Sequence, residues 1–238
     1  MQCTIKLIHA IMIECKNVSF SYSRRRNVFD DINLTLNEGH VYGLLGKNGE
    51  GKTTLLKLMS GLLIPQKGNC SLWGQDVKYR PVNLLQKLFM VNEMPTFPDV
   101  YVKEFFKMYA PFYPTFDKDV LSKCIADFEI DCDRRVIKLS HGQQKKVVIS
   151  LALSVKTPLL FLDEPTNGLD IPSKRIFRQL LASLVDEKQI AIISTHQVRD
   201  LESLIDSVIV LNNRKVVSNQ SLNNSETSLE TLFEEIIA

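Results

Sequence analysis

The sequence lacks the features that mark a membrane-spanning or a secreted protein. No apolar run approaches the roughly 18–20 residues needed to cross a bilayer. The apolar stretch near the N-terminus is too short for a signal peptide and has no small-residue cleavage site. The five cysteines are scattered and form no C-x-x-C pair, so neither a disulfide framework nor a zinc site is indicated. These absences favour a protein of the reducing cytoplasm, in which any membrane crossing would fall to other chains.

A strong charge of either sign is also missing. The formal net charge is +2, 24% of the residues are charged and 45% are hydrophobic, which is the balance of an ordinary soluble globular protein. Because no extended basic tract occurs, no nucleic-acid partner is expected. The three arginines at 24–26 are interpreted as part of a solvated loop rather than as a phosphate-binding patch. No internal repeat is found, and the length allows one large domain or two small ones.

Short apolar runs predict the strands of the fold. Two segments near the N-terminus alternate apolar and polar residues, as half-exposed strands do: MIECKNVSFSY (12–22) and INLTL (32–36). Three further segments begin with or contain a continuous apolar run and predict buried strands: HVYGLLG (40–46), LLFLDEP (159–165) and IAIISTH (190–196).

Helical patterns lie between these strands. A helix is predicted over KTTLLKLMSGLL (52–63), with Gly61 as its stop, and another at about 172–186. The stretch 94–150 is mostly helical in pattern, but the two prolines of PFYP (111–114) interrupt it because proline cannot lie inside a helix. Strands that alternate with helices predict an α/β fold with a largely parallel sheet and a helical insertion.

Glycine is concentrated in one place, GLLGKNGEGKTT (43–54), directly after a predicted strand. Within it, Gly46, Gly51, Lys52 and Thr53 fit the phosphate-binding pattern G-x-x-x-x-G-K-[ST]. Glycines let successive backbone N–H groups point at an anion, and the following helix adds its positive N-terminal end. Lys52 would bridge the outer phosphates and the Thr53 hydroxyl would bind Mg²⁺. The residues predicted to bind ATP here are Gly46, Lys47, Asn48, Gly49, Glu50, Gly51, Lys52, Thr53 and Thr54.

The segment PLLFLDEPTNGLD (158–170) carries two carboxylates to the end of a predicted strand. Ligands of open α/β sheets bind beyond the carboxyl ends of the strands. Asp163 is therefore expected to hold Mg²⁺ through its water shell, and Glu164 to orient and deprotonate the attacking water. The alternative, a solvated acidic turn, is disfavoured by the phosphate-binding loop upstream in the same chain.

Between these two motifs lies LSHGQQKKV (139–147), and the three together resemble the ATP-binding subunits of ABC transporters. The resemblance spans roughly residues 12–217. Leu139, Ser140, Gly142 and Gln143 match the family signature LSGGQ, and His141 replaces its first glycine. The resemblance implies that this segment contacts the γ-phosphate of an ATP held by a second, facing subunit. Read from the residues alone, the segment is a helix start capped by serine.

The resemblance assigns roles to three further places. Tyr22 takes the position of the aromatic residue that stacks on adenine; its alternative is packing on the core. Gly168, Leu169 and Asp170 match the loop that crosses to the partner subunit. His196, after the strand IAIIST, corresponds to the histidine that contacts the γ-phosphate and holds the water, and it joins Glu164 and Lys52 as a predicted catalytic residue.

One position departs from the family besides His141. Where the family has a glutamine that leads into the helical subdomain and contacts Mg²⁺, this sequence offers Glu93 or, one residue earlier, Asn92. The following proline-aspartate step favours Glu93. The predicted metal ligands are thus Thr53, Glu93 and Asp163. A carboxylate is a charged oxygen ligand for Mg²⁺, but it also adds negative charge beside the triphosphate.

The resemblance implies a P-loop ATPase domain over residues 1–238, with an N-terminal antiparallel β region and a helical subdomain inserted at about 94–142. Residues 1–11 are interpreted as an extension from an upstream start. The expected cofactors are ATP and Mg²⁺. The expected partners are a second ATP-binding subunit, identical or not, arranged head to tail, and a separate transmembrane permease that would hold the chain on the inner face of the cell membrane.

Two other functions stay open at this point. One is a soluble ABC ATPase that acts as an ATP-timed clamp on ribosomes or DNA; such proteins carry two cassettes or a long inserted coiled coil, and this sequence has neither. The other is a regulator that binds ATP but hydrolyses it weakly, against which Glu164 argues. A small-molecule kinase is a remote third, because Ser140 and His196 would then have no role.

Overall fold

The structure is a computed structural model that describes residues 11–23, 26–185, 189–196, 201–222 and residue 231. The strands in this part of the chain are β1 (Ile11–Ser23), β2 (Arg26–Asn37), β3 (His40–Leu45), β4 (Lys67–Leu72), β5 (Gln75–Asp76), β6 (Leu88–Val91), β7 (Leu159–Asp163), β8 (Ile190–Thr195), β9 (Ser207–Asn212) and β10 (Lys215–Ser221). The helices are α1 (Lys52–Met59), α2 (Val82–Leu85), α3 (Val102–Tyr109), α4 (Lys118–Asp127), α5 (His141–Ser154) and α6 (Ile171–Leu184). Residues 1–10 of the expected N-terminal extension, and Arg24 and Arg25, lie outside the described residues.

The N-terminal part forms an antiparallel four-stranded sheet in the order β2-β1-β4-β5. Its alternating pattern follows from the strand geometry, in which successive side chains point to opposite faces. Ile13 and Cys15 are buried, whereas Lys16 is exposed. The predicted antiparallel β region at the N-terminus is confirmed.

A second, six-stranded sheet has the order β10-β9-β3-β8-β7-β6 and is parallel except for β10. Because β3, β7 and β8 are parallel neighbours, their carboxyl ends meet at one edge. Leu45 lies opposite Thr195, and Asp163 lies opposite Ser194. This register brings the glycine-rich loop after β3 and the acidic end of β7 together.

The core lies on both faces of the six-stranded sheet. Leu159 and Phe161 of β7 pack in the cluster shared with α1 and the antiparallel sheet. Leu160 and Leu162 pack in the cluster shared with α3, α4, α5 and α6. A strand buried on both faces reads as a continuous apolar run, which is why β7 could be recognised in the sequence. The α/β prediction is confirmed.

The segment between β6 and β7 is less helical than the sequence pattern indicates. Helix α3 ends at Tyr109 and a 3-10 turn at Ala110–Phe112 follows, so the break at the prolines is confirmed. Residues 130–135, however, run alongside the start of α3: Cys132 and Arg134 accept hydrogen bonds from the backbone N–H groups of Lys103 and Val102. These contacts supply the N-terminal N–H groups of α3 with partners, and they hold the segment out of a helix.

No helix in the described part of the chain is both long and apolar enough to cross a membrane.

Candidate active site

The glycine-rich loop occupies residues 46–51, between β3 and α1. Gly51 has φ 101°, and a Cβ built there would lie 2.7 Å from Phe29 Cζ. At Gly46 a Cβ would lie 2.9 Å from the carbonyl oxygen of Leu211. Side chains at these two places would therefore be strained or would collide with the core. The loop turns directly into the N-terminus of α1, whose unsatisfied N–H groups favour an anion.

Lys52 is the first residue of α1 and is 7% exposed. Its Nζ donates to the Gly46 carbonyl at 2.8 Å and lies 4.0 Å from Glu164 Oε1. Burial lowers the pKa of this ammonium, and the nearby carboxylates, Glu164 first among them, act in the opposite direction. The lysine thus spans the loop and faces the acidic strand end, as expected of a group that holds phosphate.

Asp163 and Thr53 are joined across the edge of the sheet. The Thr53 hydroxyl lies 2.8 and 3.0 Å from the two Asp163 carboxylate oxygens, and Ser194 Oγ donates to Asp163 Oδ1 at 2.7 Å. Asp163 is 1% exposed, so these hydroxyls hold the buried carboxylate.

This donor set fits Mg²⁺. Hydroxyl and carboxylate oxygens are the ligands that the ion prefers, and proteins commonly bind it through one or two carboxylates together with substrate phosphates. No cluster of three or more His, Cys, Asp or Glu side chains suited to a metal ion is found in the described part of the chain. Thr53 and Asp163 are the joined pair that would hold a Mg²⁺ that arrives with a nucleotide, and the third predicted ligand, Glu93, lines the same cavity.

Glu164 follows β7 in a strained backbone conformation, with φ 44°. Its N–H lies 3.0 Å from Ser194 Oγ and 3.2 Å from Ser194 O. Its Oε1 lies 2.9 Å from His196 Nδ1, while its buried Oε2 has no hydrogen-bond partner among the described residues. An unpaired buried carboxylate oxygen is costly, and a group left in this state needs a functional explanation.

These groups surround one cavity of about 770 Å³. The predicted residues that line it are Tyr22, Asn48, Gly49, Gly51, Lys52, Thr53, Thr54, Glu93, Glu164 and His196. Other predicted residues of the site lie behind this surface or beside it: Gly46, Lys47, Glu50 and Asp163. A cavity of this size with a few convergent polar groups is typical of a small-molecule site.

Two predicted residues stand at the mouth of the cavity. Tyr22 is 49% exposed, meets Phe20 edge to face at 5.0 Å, and its hydroxyl is 3.1 Å from Thr54 Oγ1. Its ring is thus a partly exposed platform beside the loop rather than a core side chain. Glu93 is exposed, and its Oε1 accepts from Asn167 Nδ2 at 3.2 Å.

The signature segment lies elsewhere. Ser140 caps α5: its Oγ accepts from the Gln143 N–H at 3.3 Å, and Gln143 Oε1 accepts from the Ser140 N–H at 3.0 Å. Ser140, His141 and Gln143 are exposed, whereas Leu139 is buried in the core. None of these residues is part of the described lining of the cavity.

The signature segment packs against the predicted crossing loop. A Cβ built on Gly142 would lie 2.6 Å from the Gly168 carbonyl oxygen, and one built on Gly168 would lie 2.7 Å from His141 Nδ1. Asp170 ends that loop, caps α6 and accepts from the Ser173 N–H at 2.9 Å. The hydrogen bonds from Ser173 lower the pKa of Asp170. Apart from Leu139, which is buried in the core, the residues predicted to face a partner therefore lie together on one surface of the chain, away from its own cavity.

Sequence reasoning missed several groups of the site. Ser194 immediately precedes Thr195 and His196, so a hydroxyl at the end of β8 was available as a signal. Asn27, Val28 and Arg214 also line the cavity. They come from β2 and from the turn between β9 and β10, and no local pattern marks them.

Comparison with known proteins agrees with this geometry. The family model described as ABC transporter matches residues 29–167. The chain is 32% identical to the ABC transporter ATP-binding protein NatA of Bacillus subtilis, over 86% of this chain and 83% of that protein. It is 30% identical to the bacitracin transport ATP-binding protein BcrA of Bacillus licheniformis, over 87% of this chain and 68% of that protein. A solved ATP-binding subunit of an ABC transporter superposes with a TM-score of 0.83 at 24% identity, and the match covers 94% of this chain and 99% of that one.

The chain therefore belongs to the ABC transporter family. Within that family it is an ATP-binding subunit, with the P-loop α/β fold and the ATPase function of its class.

Proposed function

We propose that this chain hydrolyses Mg-ATP in the cavity described above, as one of two facing ATP-binding subunits that drive a separate membrane-spanning subunit. The observation that carries the proposal is the pairing of Glu164 with His196 beside Lys52 and the Thr53–Asp163 pair, all at one edge of the sheet. A base, a phosphate-binding cation and oxygen ligands around one cavity are the groups that the proposed hydrolysis requires.

Each residue has a distinct task in this proposal. The loop N–H groups and Lys52 bind the phosphates. A Mg²⁺ held by Thr53 and Asp163 would neutralise phosphate charge. Glu164, whose Oε1 is engaged by His196, takes the proton of the attacking water. The water thereby becomes a stronger nucleophile at the moment of attack.

The exposed position of the signature segment supports a two-subunit arrangement. Ser140 and Gly142 lie at the N-terminus of α5, where backbone N–H groups and the helix dipole favour an anion. Because this end is exposed and does not line the chain's own cavity, the phosphate it would meet belongs to a second chain. Two chains related by a two-fold axis would each complete the other's site.

A groove of about 440 Å³ supports docking to a membrane subunit. Its walls carry apolar side chains from four parts of the chain, among them Leu62, Leu85, Phe97 and Tyr109. Asn92 also lines this groove, and the next residue, Glu93, lines the cavity. A segment inserted into the groove would thus press on the backbone that carries Glu93. BcrA, whose name describes bacitracin transport, is a relative that suggests transport as the work done.

Phosphate release by the purified chain tests the catalytic part of the proposal. With Mg-ATP the native chain is expected to release phosphate, while Glu164→Gln binds ATP with similar affinity and is at least about 100-fold slower. Equal rates for the two proteins would remove Glu164 from the role of base. A native chain that binds no ATP would remove the proposal altogether.

Co-purification with a membrane subunit tests the docking groove. This chain would be co-expressed with each polytopic membrane protein encoded in a neighbouring reading frame, and the complex would be extracted in detergent. Leu62 is 52% exposed in the groove and Val217 is 46% exposed on β10 outside it, which makes them matched sites. Leu62→Asp is expected to abolish co-purification, and Val217→Asp to preserve it. Equal retention of the two variants would contradict docking in the groove.

A further inference from the structure

Lys145 is a buried lysine that the proposed chemistry does not use. It lies in the second turn of α5 and is 0% exposed. Its Nζ donates to three backbone carbonyls: Glu93 at 2.7 Å, Glu164 at 3.3 Å and Asn92 at 3.4 Å. Lysine is almost never fully buried unless its charge is compensated, so this side chain needs an explanation.

The three carbonyls belong to two segments that end at the active site. Asn92 and Glu93 follow β6, and Glu164 follows β7, which is the parallel neighbour of β6. The lysine reaches both strand ends from α5, the helix that begins after Ser140. It therefore ties the signature helix to the backbone of Glu93 and to the backbone of the proposed base.

The surrounding charge gives a second reason for a cation here. Burial lowers the pKa of Lys145, and Glu93, Asp163 and Glu164 act in the opposite direction. The same three carboxylates act on Lys52. The site thus holds Glu93 besides the two acidic residues at the end of β7, Asp163 and Glu164, and it holds a second buried ammonium.

We propose that Lys145 is a positioning residue of the ATPase centre, which holds the backbone of Glu93 against that of Glu164 and offsets the charge of the carboxylates around the cavity. The inference rests on the proposed ATPase function. Lys145 does not belong to the described lining of the cavity, so it acts on the reaction through Glu93 and Glu164 rather than by touching the nucleotide.

Kinetics of three variants test the positioning role. Lys145→Gln is expected to lower kcat about tenfold or more and to change the affinity for a fluorescent ATP analogue less than about threefold, because the residue places the base rather than the nucleotide. Lys145→Arg keeps the charge and several donors and is expected to recover most of the rate. Lys123→Gln removes an exposed lysine from the neighbouring helix α4 and is the matched control, with native kinetics expected.

Thermal unfolding without nucleotide tests whether the charge of Lys145 offsets that of the Glu93 carboxylate. Lys145→Gln is expected to lower the melting temperature, and adding Glu93→Gln in the double variant is expected to restore part of that loss, since one carboxylate then no longer needs an opposing cation. The double-variant cycle isolates this coupling from the separate effects of the two substitutions. Additive effects on the melting temperature, or a Lys145→Gln variant with native kcat, would overturn the proposal.

The remaining outcomes are also decisive. If Lys145→Gln aggregates, Lys145→Arg and the double variant decide the test. The proposal is supported if Lys145→Arg is soluble and active and the double variant is soluble. It is overturned if neither variant is soluble, because that is the result expected of a lysine needed only for packing. A native chain that neither binds nor hydrolyses ATP defeats the proposed function itself. If the native chain binds and hydrolyses ATP and Lys145→Gln does so at the same rate, only the inference about Lys145 is overturned.

Discussion

His196 Nδ1 lies 2.9 Å from Glu164 Oε1, across the ends of two adjacent parallel strands. The contact orients the carboxylate and leaves Oε2 as the oxygen without a partner in the described part of the chain. A base held in one orientation reaches the transition state without reorganising. In the proposed mechanism His196 thus acts on the reaction through the carboxylate as well as through any contact of its own with phosphate.

His196→Ala is therefore expected to lower kcat about 100-fold while ATP affinity changes much less. Phosphate release and the binding of a fluorescent ATP analogue give the two quantities. His40→Gln is a matched control, because His40 Nδ1 forms a similar contact with Asp206 Oδ1 at 2.8 Å at the start of β3, away from the site. Equal losses in the two variants would mean that the histidine at 196 supports only folding.

The Thr53–Asp163 pair predicts how the site depends on Mg²⁺. Thr53→Ala removes the hydroxyl and is expected to reduce the gain in ATP affinity that Mg²⁺ brings by about tenfold, because a ligand of the ion is lost. Thr53→Ser keeps the hydroxyl and is the control, with near-native behaviour expected. Titration of the fluorescent analogue with Mg²⁺ and with EDTA measures the difference.

Affinity in EDTA should be the same for both Thr53 variants, because the hydroxyl then has no ion to bind. A Thr53→Ala variant with weakened binding in EDTA but a native response to Mg²⁺ would assign the hydroxyl to the loop structure instead. Asp163→Asn is less informative, because Asp163 is buried and also accepts from Ser194.

The parts of the site that could be predicted from the sequence are those coded by local spacing. Gly46, Gly51 and Lys52 have fixed offsets because one short loop must surround a phosphate. Glu164 and His196 follow apolar runs that are buried on both faces of the sheet, and these runs are visible in the sequence. At such residues, the burial of the strand and the chemistry of the site both leave a recognisable local pattern in the sequence.

The remaining parts depend on contacts between distant segments. Arg214 reaches the cavity from the turn after β9, and its N–H lies 3.3 Å from Glu50 Oε2, 164 positions away in the chain. Lys145 reads as one polar residue in a helix that follows a signature, and only the packing shows that it is buried. The sequence pattern predicts helix over most of 94–150, but within that stretch the carbonyls of Cys132 and Arg134 pair with the first turn of α3. Nothing in local periodicity records these pairings.

The partly exposed ring of Tyr22 is expected to stack on the adenine of ATP and so to contribute to ATP affinity. Tyr22→Ala is expected to weaken ATP affinity about tenfold, because loss of one aromatic–base stack costs about 1–3 kcal/mol. Tyr22→Phe keeps the ring and loses only the contact of the hydroxyl with Thr54, so its affinity should stay within about threefold of the native value. If both variants bind ATP as the native chain does, the base lies elsewhere in the cavity.

The exposed position of Ser140 at the start of α5 leads us to expect that two subunits assemble around ATP. The test uses the Glu164→Gln background, in which slow hydrolysis is expected to preserve an ATP-bound dimer. Ser140→Asp and Ser140→Asn both retain a side chain that caps a helix well, so α5 should begin normally in each. Only the aspartate adds a negative charge, at an exposed helix end that is proposed to meet the partner's γ-phosphate. The dimer seen by light scattering on a sizing column in Mg-ATP is therefore expected to disappear with Ser140→Asp and to persist, weakened, with Ser140→Asn. Equal dimerisation of the two variants would show that no phosphate approaches Ser140, and loss of the dimer in both would show that the hydroxyl itself, rather than the charge at this end of α5, decides assembly.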